Sequence, residues 1–306
     1  MSDFKSDTKR PSHTVRSGLP LTDVSLLVAT ATDDLWQAWS FDPLVLAGAV
    51  VAVAFFAQGW RRLRRRRPEL APWSRWPLFL AGVAVVVLGI VSPLDAIAEE
   101  YLQSAHMLQH VLIADLGVAL ALVAVRGPLS MFFLPRDLLA PLARRQALRR
   151  VLSFLLRPRV AVALWLGVLV AWHLPVLYDA ALRHPLVHRL EHLSLVVVGA
   201  LVWTLIVDPA GHGRLSVNGR IGLAALMLWM GQMLAYVFVF SFHPYYDVYV
   251  EQPERLFGLS PLMDQKLAGV VMMVEQGLTL GTALVLLLLT ARRARAAEPR
   301  AAPEPA

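Results

Sequence analysis

The sequence contains no cysteine. Disulfides, thiolate metal sites and thiol redox chemistry are thereby excluded, so a soft metal has to be held by histidine nitrogen, methionine sulfur or carboxylate. Charge is scarce as well. Asp, Glu, Lys and Arg make up 17% of the 306 residues, where a soluble domain carries about a quarter. No P-loop, dinucleotide fingerprint or nucleophile elbow occurs in a supporting context, and no enzymatic activity is expected.

Apolar residues take up the difference. They form 57% of the chain, the mean hydropathy is +0.56, and several stretches approach or exceed the roughly 20 residues that cross hydrocarbon. The expected fold is an all-α polytopic helix bundle set in a lipid bilayer. The net charge of +7 does not signal a nucleic-acid partner. The basic residues lie in short runs beside apolar segments, as membrane topology requires.

Seven transmembrane helices are predicted, over about 43–60, 76–92, 102–125, 159–180, 187–207, 220–241 and 265–290. Residues 1–40 read as a polar extracytoplasmic tail, because the apolar stretch 24–31 is too short to span and lacks the layout of a signal peptide. Residues 41–291 form the membrane domain and 292–306 a disordered cytoplasmic tail.

Short basic loops mark the cytoplasm. Such runs follow the first span (Arg61 to Arg67), the third (Arg136, Arg144, Arg145, Arg149, Arg150, Arg157, Arg159), the fifth (Arg214, Arg220) and the seventh (Arg292, Arg293, Arg295). The alternate loops carry Asp95, Glu99 and Glu100, then Asp247, Glu251, Glu254 and Asp264. All four basic runs share a side only if the N-terminus is outside, which predicts an N-out, C-in topology.

With that topology, six of the nine histidines reach the outer side: His106, His110, His173, His188, His192 and His243, with His184 just beyond. Counting about fifteen residues from the cytoplasmic end of each span puts His110, His173, His192 and Glu275 in one layer, roughly 22 Å across a core about 30 Å thick. His106 and His188 sit one turn further out, each on the same helix face as a deeper partner. Met107, Met272, Met273 and Tyr236 lie at compatible depths. Asp115, near mid-bilayer, reads as a proton relay or as a bond to a neighbouring helix. His13 and His212 fall outside the layer. Trp36, Trp39, Trp60, Trp76, Trp172, Tyr245 and Tyr246 read as interfacial anchors.

Two His pairs at i,i+4 can each aim both imidazoles at one metal. Histidines in a membrane also serve simply by bonding a neighbouring helix, but six at one side exceed what packing needs. The candidate metal ligands are His106, His110, His173, His188, His192, Glu275 and Met107. Imidazole with some thioether and no thiolate suits copper, as Cu(I) or Cu(II), ahead of zinc or iron. The inner halves of the spans carry almost no ligand-type residues apart from Asp115, which argues against a conduction path.

Ser92-Pro93-Leu94-Asp95 followed by His106-Met107-Leu108-Gln109-His110 resembles the multi-spanning CtaG family of cytochrome c oxidase assembly factors. So do Ala171-Trp172-His173-Leu174-Pro175 with Tyr178-Asp179, and His184-Pro185-Leu186-Val187-His188 with Glu191-His192. Phe41-Asp42-Pro43, Ser260-Pro261, Asp264-Gln265 and Gly269 fit as well, so the resemblance covers about 41–290. The same name is used for a single-span, thiol-dependent copper chaperone, which a cysteine-free chain cannot be. The resemblance implies a role in maturing a haem-copper oxidase of a bacterial-type cytoplasmic (inner) membrane, plausibly by supplying copper. Cytochrome c oxidase subunits would then be partners, along with a periplasmic copper donor. The family pattern carries over onto His106, His110, His173, His188 and His192. It departs after Gly269, where a Met-Trp pair is expected and this chain has Met272-Met273 and then Glu275. Three alternatives remain at this stage: a haem b protein with two axial histidines, a metal- or proton-coupled transporter, and a purely structural partner of the oxidase.

Overall fold

The structure, a computed structural model, describes residues 37–211 and 213–297. The polar tail expected at 1–40 falls almost wholly outside these residues, as do His13, Trp36, His212 and the stretch beyond 297. Among the described residues there are helices and no strands. Six helices are long and apolar enough to cross a membrane, or seven if one bent pair counts as a single span. The chain is therefore a helical membrane protein.

In order, α1 is Pro43–Arg66, α2 Arg75–Val91, α3 Pro93–Glu100, α4 Gln103–Val111 and α5 Gly117–Ala124, with a π-helical turn Leu112–Leu116 between α4 and α5. Then follow α6 Leu129–Phe132, α7 Arg136–Arg144, α8 Gln146–Leu155, α9 Pro158–Trp172, α10 Pro175–Arg183, α11 Pro185–Val207, α12 Val217–Val239, α13 Asp247–Glu251 and α14 Pro261–Ala297. Helix α14 continues six residues past the predicted boundary at 291. The spans present apolar side chains such as Val50, Leu88, Leu193, Trp229 and Leu278 outward, the surface that lipid requires.

The fourth span departs from the expected 159–180. Helix α9 stops at Trp172, and Leu174 is extended (φ −71°, ψ 130°) before α10 begins at Pro175. Pro175 in the sequence predicts a kink, but proline removes a backbone donor and disfavours helical geometry in the residue before it, and the helix breaks there outright. The remaining fifteen residues cover only about 22 Å. The bent pair that can make up a span is α8 with α9, which meet at 71°.

Helix ends are secured by side chains. Asp42 caps α1 through Leu44 N at 2.7 Å, and Ser92 caps α3 through Leu94 N at 3.3 Å. Helix α4 has no cap of its own. Asp264, from α14, accepts instead from Gln103 N (2.7 Å), Ser104 N (3.2 Å) and Ser104 Oγ (2.5 Å). This cap in trans fixes the start of the helix that carries His106 and His110. At the other flank, Gln109 Nε2 donates to Gly89 O at 2.9 Å and to Asp95 Oδ1 at 2.5 Å, tying α4 to α2 and α3.

Helix α11 approaches the π-helical turn so closely that a Cβ on Gly199 would lie 2.2 Å from Ala114 O. Gly199→Ala therefore has to push α11 away from that turn. Overpacking of this kind costs about 1–3 kcal/mol, and the expected result is a lower melting temperature, read by thermal melts in detergent.

Several expected interfacial anchors are internal. Trp60, Trp172 and Tyr246 are buried. Their polar atoms are spent on Pro72 O (3.3 Å), Ser194 Oγ (2.8 Å) and His173 O (3.0 Å). The last of these bonds satisfies a carbonyl at the α9 break.

Candidate metal centre

Helix α11 packs against the π-helical turn and α5, and α4 and α11 each bring an i,i+4 histidine pair to the same place. The rings of His106 and His110 lie 4.2 Å apart, as do those of His188 and His192. Across the helices, His106 is 5.4 Å from His188 and His110 is 5.2 Å from His192. Between them stands Glu191, wholly buried, with Oε2 3.8 Å from His106 Nε2 and Oε1 3.7 Å from His110 Nε2.

Those separations are too long for hydrogen bonds, but they match two ligands of one ion. Bonds of about 2.1 Å in trigonal or tetrahedral geometry put ligand atoms roughly 3.4–3.6 Å apart. Among the described residues no other partner satisfies these atoms. The Nε2 atoms of His106, His110, His188 and His192 and both Glu191 oxygens are buried without a hydrogen bond. Leaving a carboxylate and four imidazole nitrogens in this state is costly, and the donor set fits copper or zinc.

The hydrogen-bond network also assigns tautomers. Tyr249 gives its only hydroxyl hydrogen to Ala98 O at 2.7 Å, so at 3.2 Å from His106 Nδ1 its oxygen accepts. Tyr178 OH adds a contact of 3.1 Å to the same nitrogen. His188 Nδ1 lies 2.6 Å from Glu99 Oε1, and there too the nitrogen is the donor. With Nδ1 protonated, Nε2 of each ring presents a lone pair inward. Carboxylate or hydroxyl support behind a ligating imidazole is the usual means of fixing its orientation.

The other predicted residues lie elsewhere. His173 donates from Nδ1 to Leu169 O at 2.7 Å and packs its ring 5.7 Å from Phe238. Its Nε2 is also buried without a hydrogen bond, yet it belongs to neither close ligand group. Met107 turns into the aromatic cluster of Tyr178, Tyr246 and Tyr249 with Met272. Glu275 faces Asp115. Asp115 in turn accepts from Trp203 Nε1 and, at 3.4 Å, from Thr279 Oγ1. His184 and His243 are in neither ligand group.

Sequence reasoning did not place Glu191 with the candidate ligands. Its signal was present: three residues after His188, it lies on the same side of the helix as that histidine. Glu99 and Tyr249 had no such signal, since only tertiary packing brings α3 and α13 to the histidines.

Outside the spans, burial beside Glu99 raises the Asp95 carboxyl to about 6, with Gln109 opposing. The folded value lies above the ordinary one, so stability is lost as the pH climbs from about 4 to about 6. Asp95→Asn is expected to flatten that part of the stability curve, measured by thermal melts.

A polytopic helical membrane protein with a buried imidazole–carboxylate centre is the class that fold and site define. A family model described as cytochrome c oxidase caa3 assembly factor (Caa3_CtaG) matches residues 54–294, and the chain belongs to that family. Uncharacterized proteins of Mycobacterium bovis and Mycobacterium tuberculosis are 32% identical over 195 residues, which is 60% of this chain. The match spans 29% of the length of these curated relatives. No solved structure matches the chain.

Proposed function

We propose that the protein is a metallochaperone-type assembly factor of the respiratory chain, binding copper in the histidine centre and supplying it to a haem-copper cytochrome c oxidase. The observation that carries this reading is the convergence of four imidazole Nε2 atoms and both Glu191 oxygens, all buried with no hydrogen-bond partner among the described residues. Family membership supports the oxidase pathway. His106, His110, His188 and His192 with Glu191 form the centre. His173 is a flanking residue, while Met107 and Glu275 are supporting residues outside the immediate ligand set.

The charge distribution orients the chain N-out and C-in in a bacterial inner membrane. The histidine end then faces the exterior, where Glu99 and His188 offer an entry for copper handed over by a periplasmic donor. Oxidase subunits are the clients, and no catalytic step is assigned to the protein.

In a strain lacking the native protein, His192→Ala is expected to lower Cu(I) affinity and His110→Ala Cu(II) affinity, each at least ~10-fold, and both to reduce copper in the assembled oxidase. Normal affinity and normal oxidase maturation in both variants would contradict the reading.

A further inference from the structure

The centre contains two overlapping ligand groups rather than one. His106, His188 and His192 form the first, and His106, His110 and Glu191 the second, each with its ligand atoms within 4.8 Å of one another. Only His106 belongs to both. Its Nδ1 is occupied by the hydroxyls of Tyr178 and Tyr249, which leaves a single lone pair, on Nε2. One lone pair serves one metal ion at a time.

The groups differ in charge. Three neutral imidazoles around a monovalent ion carry a net +1. Two imidazoles and a carboxylate around a divalent ion also carry +1. In a low-dielectric interior a second uncompensated charge is expensive, so Glu191 offsets what a divalent ion adds. Carboxylate oxygen also suits the harder ion, and an all-nitrogen set tolerates the softer one.

They differ in access too. The first group adjoins the exterior of the fold through His188, whose Nδ1 is held by Glu99, a residue with a side chain 42% exposed. The second has only His106 at the outer level and reaches the cavity of about 60 Å³ that His110 lines together with Asp115, Trp203 and Gln276, so its centre lies deeper than that of the first, which has His106 and His188 at the outer level. An ion entering past Glu99 meets the all-imidazole group first.

We infer that the centre offers two mutually exclusive positions for one metal ion, pivoting on His106: an outer all-imidazole position selective for Cu(I) and a deeper position, completed by Glu191, selective for divalent ions. This inference rests on the metal-binding reading above and adds to it where each ion sits and what selects it. No change of oxidation state is involved, because the ion occupies the position that suits the state in which it arrives.

The test uses the detergent-purified full chain, titrated with Cu(I) without oxygen and with Zn(II), each against a competing chelator. Glu191→Gln is expected to weaken Zn(II) at least ~10-fold while leaving Cu(I) within about threefold. His188→Ala is expected to do the reverse. The wild-type chain should hold one metal equivalent in total, and Cu(I) should displace Zn(II). X-ray absorption on the wild type needs no variant: Zn(II) should show mixed nitrogen and oxygen ligation, Cu(I) nitrogen alone. Two equivalents bound together, or both metals weakened alike by both variants, or the same ligand set for both ions would overturn the two-position inference while leaving metal binding intact. A wild-type chain that binds neither metal would overturn the functional reading along with it.

Discussion

His106→Ala is expected to reduce the affinity of the centre for both Cu(I) and Zn(II) at least ~100-fold, the largest loss of any single histidine. The reason is geometric. Each ligand group contains His106, so its removal leaves His188 with His192 on one side and His110 with Glu191 on the other. A metal at 100 times its dissociation constant adds about 2.7 kcal/mol of stability. That metal-dependent rise in melting temperature should vanish in the variant. Without metal, the variant should also melt lower than the wild type, because the substitution leaves a cavity where a fully buried ring stood and removes the Nδ1 partner of the Tyr178 and Tyr249 hydroxyls. Melts with and without metal separate the two effects, and a preserved metal-dependent rise would contradict the role given to His106.

The second large effect is expected from Asp264→Ala, at a residue with no part in ligation. Asp264 is 3% exposed and accepts from two backbone amides and a hydroxyl at the start of α4. Each buried donor left unsatisfied costs about 1–3 kcal/mol. The two amides alone, which cannot turn to another acceptor as the Ser104 hydroxyl can, put the loss at about 2–6 kcal/mol, a large fraction of typical total stability. Metal affinity should fall with it, since His106 lies only one turn into the helix that loses its cap. Asp264→Asn keeps one acceptor oxygen and should fall between the two. If Asp264→Ala melts like the wild type, the cap in trans is not what positions α4.

Much of this architecture was legible in the sequence. Apolar runs bounded by arginine clusters mark six of the spans to within a few residues, because lipid demands apolar surface along a fixed length. The break after Trp172 was legible only as a kink. Pro175 signals an interruption, but whether the chain resumes in line or turns depends on packing such as the Tyr246 bond to His173 O. The paired histidines were legible from i,i+4 spacing and depth, since both follow from helix geometry alone. Depth could not show rotation about the helix axis. That is why Glu275, at the correct level, faces Asp115, and why Met107, next to His106, points into an aromatic cluster. The supports from Tyr178, Tyr249 and Glu99 come from segments remote in sequence, and no local pattern announces them.

The most direct test of the central claim is the metal content of the purified chain after loading with copper, recorded with the absorption spectrum of the same sample. The account predicts one copper per chain, retained through gel filtration, lost in His106→Ala, and no Soret band. A chain that retains no copper, or one that carries a Soret band from haem held by two of these histidines, would contradict it.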